Sequence, residues 1–181
     1  MTNYKLHHIG TLSPEMALLG QLFDSAGHGY DLHRKLVSDL GHVWHLSQSQ
    51  AYAILKRLES QGDISMEEIH QEKLPSRQLL HLTQQGRERF LNWLDIPSGG
   101  STRAIRLEFI TRLYFLNQYF PEKIAHAFDQ QRSEAEIHIQ RLEETSKHLP
   151  DDQVYNRMSL NMRLEQLRAV LEWLDECRKY F

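Results

Sequence analysis

The sequence predicts a mainly α-helical chain of two domains, the first closed by a two-stranded hairpin and the second helical throughout. Three observations carry that prediction. Apolar residues recur at helical spacing over most of the chain. Strand-like patterning is confined to two short runs, Ile64-Ser65-Met66-Glu67-Glu68-Ile69 and Gln78-Leu79-Leu80-His81-Leu82, separated by a break at Leu74-Pro75-Ser76. The Pro/Gly/Ser-rich stretch Asp95-Ile96-Pro97-Ser98-Gly99-Gly100-Ser101 falls mid-chain and marks the boundary.

The first helix starts at Ser13-Pro14, a side-chain cap followed by a proline whose missing N–H costs nothing at that position. Met16, Leu19, Leu22 and Phe23 follow at helical spacing, up to Ala26-Gly27. A second helix spans about Gly29 to Leu40, with Tyr30, Leu32, Leu36, Val37 and Leu40 as its core face and Gly41 as its stop. In the third, Ser47-Gln48-Ser49-Gln50 fits a capping box, in which a serine hydroxyl and a glutamine side chain satisfy each other's main-chain N–H. Ala51, Ile54, Leu55 and Leu58 then form one apolar stripe, and Gly62 is the natural C-terminal stop. After the hairpin, Thr83 caps a fourth helix carrying Phe90, Leu91, Trp93 and Leu94.

Beyond the boundary, Ile105, Phe109, Leu113, Leu116 and Phe120 share a face that ends at Pro121. A long helix from there to Leu149 carries Ile124, Phe128, Ala135, Leu142 and Leu149, the last four spaced by seven. The final helix places Leu160, Leu164, Leu167, Leu171 and Leu174 with alternating gaps of four and three. Such a heptad seam needs a partner helix, either another chain or the preceding long helix. Arg163, Glu165, Arg168 and Glu172 flank it and are placed for helix-surface ion pairs.

Composition narrows the function. With 181 residues, 40% hydrophobic and 25% charged, the chain can core one domain or two small ones, which excludes collagen-like and wholly disordered classes. Its 21 Lys and Arg against 24 Asp and Glu give a net charge of −3, which excludes a uniformly basic nucleic-acid coat but not a local basic patch. Neither half is basic: residues 1–95 hold 9 basic against 11 acidic side chains, and residues 96–181 hold 12 against 13. A lone Cys177 cannot form an internal disulfide and reads as a reduced thiol. The start, Met1 to His8, shows no secretory pattern and no run approaches a membrane span, so a cytoplasmic protein without membrane contact is expected.

Three helices followed by a hairpin make a winged helix-turn-helix, whose third helix enters the DNA major groove. Opposite the apolar stripe of that helix lie Ser49, Ala53, Lys56 and Ser60, flanked by Tyr52 and Arg57, with Gln48 and Gln50 in its first turn. Glutamine can bond adenine bidentately, serine can serve either partner, and the small Ala53 permits close approach. Lys56, Arg57 and the wing residues Lys73 and Arg77 are placed for phosphates.

The runs Gly29-Tyr30-Asp31-Leu32, Ser47 to Gly62, and Leu82-Thr83-Gln84-Gln85-Gly86-Arg87 resemble the PadR family of bacterial transcriptional regulators, in particular its long-tailed, AphA-like branch. Arg106-Leu107-Glu108-Phe109 and the helical half after it resemble that branch's dimerisation region. The resemblance implies a winged helix-turn-helix over residues 8–94, a helical dimerisation domain over 102–181, and a homodimer reading an operator of two-fold symmetry. It also implies that Ser49, Tyr52 and Lys56 lie in the DNA-reading helix and Arg77 on the wing's return strand. The wing departs from the family, whose return is often basic with a tyrosine pair, because here it reads Gln78-Leu79-Leu80-His81. In some relatives, aromatic residues between domains or subunits receive planar aromatic effectors, and Trp93 is the residue here that suits such a ligand.

Other chemistries find less support. His7-His8, His28 with His33, and His42 with His45 lie close in sequence, but no metal-ligand spacing accompanies them. Ser98-Gly99-Gly100-Ser101 lacks the lysine of a phosphate-binding loop, and Cys177 has no nearby activating base. The sequence therefore predicts a non-enzymatic, cofactor-free regulator, a repressor by default. The rival reading is a protein-interaction adaptor built on a winged-helix docking fold.

Overall fold

The computed structural model describes residues 12–71 and 74–181. They divide between Ile96 and Pro97 into two compact units.

The first unit contains α1 (Glu15–Gln21), β1 (Gly27–His28), α2 (Gly29–Leu40), α3 (Gln48–Ser60), β2 (Ile64–Gln71), β3 (Leu74–Leu82) and α4 (Gln84–Leu94). Ser13 does not cap α1. Pro14 occupies the N-cap position without a side-chain bond, and the Ser13 hydroxyl instead accepts a hydrogen bond from Arg57 Nη2 at 3.3 Å. On α2, Leu32, Leu36 and Leu40 are buried, whereas Tyr30 and Val37, expected in the core, are exposed. The leucines at four-residue spacing already define the buried stripe, and Tyr30 and Val37 lie well round the helix from it.

α3 forms as the sequence predicts. Ser47 N donates to Gln50 Oε1 at 2.9 Å and Gln50 N donates to Ser47 Oγ at 3.3 Å, completing the capping box. Ala51, Ile54, Leu55 and Leu58 are all buried. At the other end Gly62 adopts φ 81°, and Asp63 N donates back to Leu58 O at 2.9 Å. This is a Schellman closure, which favours glycine because a Cβ is strained at that φ.

The wing is the antiparallel hairpin expected, β2 with β3, and the short β1 joins it to make a three-stranded sheet. Its order is β1-β3-β2, with Gly27 opposite Leu80 and His28 opposite Leu79. Two residues are too few to show alternation, so β1 leaves no signal in the sequence. β2 and β3 run antiparallel from Ile64 opposite Leu82 outward to Gln71 opposite Leu74. Thr83 caps α4 as expected, accepting from Gly86 N at 3.1 Å, and its hydroxyl donates to Gly62 O at 2.7 Å. A Cβ on Gly86 would stand 2.0 Å from the Asp63 carbonyl oxygen, so only glycine lets α4 pack this closely on the start of the wing. Arg87 Nη2 donates to Phe23 O at 2.6 Å, with the guanidinium 4.2 Å over the Phe23 ring. The Leu-Thr-x-x-Gly-Arg signature is thus a packing device around a core that includes Leu18, Leu36, Leu58, Ile64 and Phe90.

The second unit opens with α5 (Thr102–Ala104), capped by Ser101, and passes through a π-helical turn at Ile105–Phe109 into α6 (Ile110–Tyr119). The long helix predicted from Pro121 to Leu149 is shorter: a 3₁₀ turn at Pro121–Lys123 leads into α7 (Ile124–Lys147), and Leu149 lies beyond its end. A final helix, α8 (Val154–Cys177), packs antiparallel to α7. Arg132 meets Asp175 at 2.5 Å near one end of the pair, and Arg168 meets Glu143 at 2.9 Å near the other.

Of the two partners open to the leucine seam, α7 covers it within the chain. Leu160, Leu164, Leu167 and Leu174 are buried and Leu171 is half-buried, so the seam assigned to dimerisation is inside this unit. The apolar residues α8 leaves outside are different ones: Val154, Tyr155, Met158 and Met162, the two methionines 63% and 64% exposed. The stretch read as a linker is anchored at Ser98. Its N–H donates to Gln131 Oε1 at 2.8 Å, its carbonyl accepts from Gln131 Nε2 at 3.1 Å, and its hydroxyl accepts from Arg112 Nη1 at 3.2 Å, all three side chains being buried.

Candidate nucleic-acid interface

α3 is held by its buried stripe and by both of its ends, so its outer face is a fixed platform. Gln48, Ser49, Tyr52, Ala53, Lys56 and Ser60 are exposed along it. The helix, the N-terminus of α2 and the hairpin enclose an open groove of about 1140 Å³. Tyr52 and Lys56 of α3 line it together with Arg77 of β3, Tyr30 and His28. The sequence alone places Tyr30 in the core, because a tyrosine beside an apolar stripe gives no sign of which way it turns. Gly29 has a steric role: a Cβ on it would stand 3.0 Å from Tyr52 Cε1, so glycine lets the Tyr52 ring lie close to the α2 backbone. His28 Nδ1 bonds Gln78 O at 2.8 Å and keeps β1 on β3 at the groove wall.

The eight predicted DNA contacts separate into groups. Tyr52, Lys56 and Arg77 converge on the groove. Gln48 and Ser49 sit at the N-terminal end of α3, away from it, and Ser49 Oγ lies 3.2 Å from Ser47 Oγ. Gln50 is engaged in the cap, its amide oxygen accepting from both Ser47 N and Ser47 Oγ. Bidentate pairing with adenine requires that oxygen, so Gln50 reads a base only by releasing the cap. Arg57 is also engaged, with Nε donating to Glu15 Oε1 at 2.7 Å. Lys73 lies outside the described residues, as do His7 and His8.

The groove is not uniformly positive. Asp31, Glu59 and Glu68 line it beside the two cations, and Glu67 is exposed on the same hairpin, paired with His81 at 3.0 Å. A wing with these carboxylates is a weak phosphate clamp, in keeping with its departure from the basic pattern of the family.

The remaining singled-out residues have structural surroundings. His33 Nε2 bonds Leu46 O at 2.8 Å and fastens the turn before α3. Trp44 is buried, Trp93 stacks on Phe90 with centroids 6.0 Å apart, and Trp173 meets Phe109 edge-on at 6.4 Å. Burial pushes the Cys177 thiol pKa up, and the neighbouring Glu176 charge adds to it, which disfavours the reactive thiolate. Among the described residues, no group of three or more His, Cys, Asp or Glu converges as metal ligands. No helix there is long and apolar enough to cross a membrane.

Residues 18–92 match the family model of PadR-like transcriptional regulators, a span running from α1 into α4. This region is a PadR-like domain. Members of the PadR family are transcriptional regulators, not enzymes. Residues 105–181 match the model of the virulence activator alpha C-terminal region, consistent with the long-tailed branch. The negative transcriptional regulator PadR of Bacillus subtilis (strain 168) is 24% identical over 170 residues, covering 88% of this chain and 92% of the relative. Among solved structures, Bacillus subtilis PadR in complex with operator DNA is 24% identical with a TM-score of 0.45, over 90% of this chain and 95% of that one. The same regulator in complex with p-coumaric acid is 22% identical with a TM-score of 0.41, over 91% and 92%.

Proposed function

We propose that this chain is a sequence-specific DNA-binding regulator that works as a homodimer on an operator of two-fold symmetry. The observation that supports this most directly is the convergence of Tyr52, Lys56 and Arg77 on one groove beside the exposed face of a rigid helix. In this reading Gln48, Ser49 and Tyr52 meet base edges, and Lys56, Arg77 and the wing's Lys73 meet phosphates. Gln50 and Arg57 are left out of that set, since Ser47 and Glu15 hold their polar ends. Two copies of α3 placed by a dimer read half-sites roughly 10 base pairs apart, or a multiple of that. Repression by promoter occlusion in the cytoplasm is the default mode.

The dimer is supported by α8. With its leucine seam already buried, the exposed Val154, Tyr155, Met158 and Met162 still form an apolar strip along one side. Monomers seldom leave such a strip open to water. A small aromatic acid is the proposed effector, with Trp93 as its first candidate contact. A panel of phenolic acids should quench tryptophan fluorescence, and the quenching should weaken in Trp93→Phe.

The deciding experiment is retardation of the gene's own upstream DNA. Tyr52→Ala combined with Lys56→Ala should abolish the shift while light scattering still reports the wild-type mass. Unchanged affinity in the double variant removes the site assignment. Binding that does not respond to salt favours the protein-interaction adaptor instead.

A further inference from the structure

Two neighbouring cations on α3 have opposite surroundings. Lys56 lines the open groove. Arg57, next in sequence and about 100° further round the helix, turns toward α1, where Nε and Nη2 reach Glu15 Oε1 at 2.7 and 2.6 Å and Nη2 also reaches Ser13 Oγ at 3.3 Å. Glu15 is only 13% exposed, while Arg57 is 48% exposed and long enough to swing outward. The second oxygen of Glu15 accepts from Arg89, which also holds the buried Asp63. Two carboxylates and two guanidiniums therefore cancel. Among the described residues Arg57 has Glu15 as its one carboxylate partner, whereas Arg89 keeps Asp63 if Glu15 is lost.

We infer that Glu15 is a positioning residue of the DNA-reading unit, which withholds Arg57 from the phosphate backbone so that α3 carries one outward cation and not two. The inference rests on the proposed role of α3 in reading DNA. A phosphate contact adds affinity for every sequence alike, whereas base-edge contacts on Gln48, Ser49 and Tyr52 discriminate. Holding one arginine back lowers the affinity for operator and random DNA by the same factor, leaves the discriminating contacts and their ratio untouched, and makes both kinds of binding less dependent on salt. Glu15 acts through Arg57 and touches no base or phosphate itself.

The test uses the full-length chain as wild type, Glu15→Ala, Arg57→Gln and the double variant. Each is titrated by fluorescence anisotropy against the upstream fragment and a random duplex, from 50 to 200 mM salt. Glu15→Ala should bind the random duplex more tightly, with a salt slope steeper by about 0.9 per subunit, equal to an added roughly threefold loss per subunit across that range. It should gain on the upstream fragment by the same factor, so that its preference between the two duplexes is unchanged. Arg57→Gln should match wild type in affinity and slope, and the double variant should match Arg57→Gln.

A lower affinity and shallower slope in Arg57→Gln would show Arg57 already on phosphate and overturn the inference. So would a Glu15→Ala gain that survives in the double variant, because it would reflect only removal of a repelling carboxylate. If circular dichroism shows Glu15→Ala unfolded, the Arg57→Gln comparison decides alone, since that side chain is half-exposed. A wild type that binds neither duplex with salt dependence removes the DNA reading itself, an outcome distinct from wild-type binding with variants that fail to follow the pattern.

Discussion

α3 and α8 are both amphipathic helices with a clean buried stripe, and they differ in what the stripe leaves outside. Around α3 the remainder is mostly short or polar, Gln48, Ser49, Ala53, Lys56 and Ser60, with the Tyr52 ring among them. Around α8 the remainder includes Val154, Tyr155, Met158 and Met162. Water satisfies the first surface and not the second. The first is suited to a polar ligand that comes and goes, and the second to a permanent apolar partner. A heptad seam therefore does not identify the dimerisation face, because an antiparallel neighbour in the same chain can cover it.

The comparison can be broken most severely from inside. Leu167→Ala removes a fully packed member of the α8 seam and should cost about 2–5 kcal/mol of stability, read as a lower denaturant midpoint. If it instead halved the mass with stability intact, the seam would be an interface between chains. The next effect comes from the outer face. Met158→Glu with Met162→Glu should change the light-scattering mass from twice 21.4 kDa to 21.4 kDa and weaken upstream-DNA binding on the order of 100-fold, as one half-site is lost. A dimer surviving both glutamates would place the partner surface elsewhere.

Charge gives a smaller, sharper test. In the proposed reading Arg57 is held by Glu15 and three cations per subunit are assigned to phosphates: Lys56, Arg77 and Lys73. Six in the proposed dimer would limit the salt slope of binding to about −5. A measured slope beyond −7 would require phosphate contacts outside this set. The smallest effect is at the N-cap. Ser47→Ala should cost about 1 kcal/mol, seen in thermal melts, and free the Gln50 amide. Tighter DNA binding at lower stability would show that the cap and base reading compete for that side chain.

Much of the fold was legible because its signals are local. The capping box at Ser47 and Gln50, the stripe from Ala51 to Leu58, the stop at Gly62 and the cap at Thr83 each lie within a few residues of what they control, and all form. β1 was not legible, because its two residues are strand only by pairing with Leu79 and Leu80, more than fifty positions away. Tyr30 and Val37 were misplaced because adding them to the leucine stripe makes the buried face of α2 wider than a helix of this packing covers. In the candidate site, Tyr52, Lys56 and Arg77 could be named from sequence, but not their convergence, nor the carboxylates Asp31, Glu59 and Glu68 among them.

The sequence by itself determined which segments are helices, where most of them start and stop, and which face of each is apolar, since these follow from main-chain hydrogen bonding and the helical period. Only the tertiary structure decided which polar side chains remain available. Lys56 and Arg57 are adjacent and alike in charge, yet Glu15, forty-two residues from Arg57 along the chain, engages Arg57 and not Lys56. The same holds for α8, where packing against α7 and not the leucine pattern decided which face stays open. Availability depends on what lies within a few ångströms in space, and distance along the chain carries little of that information.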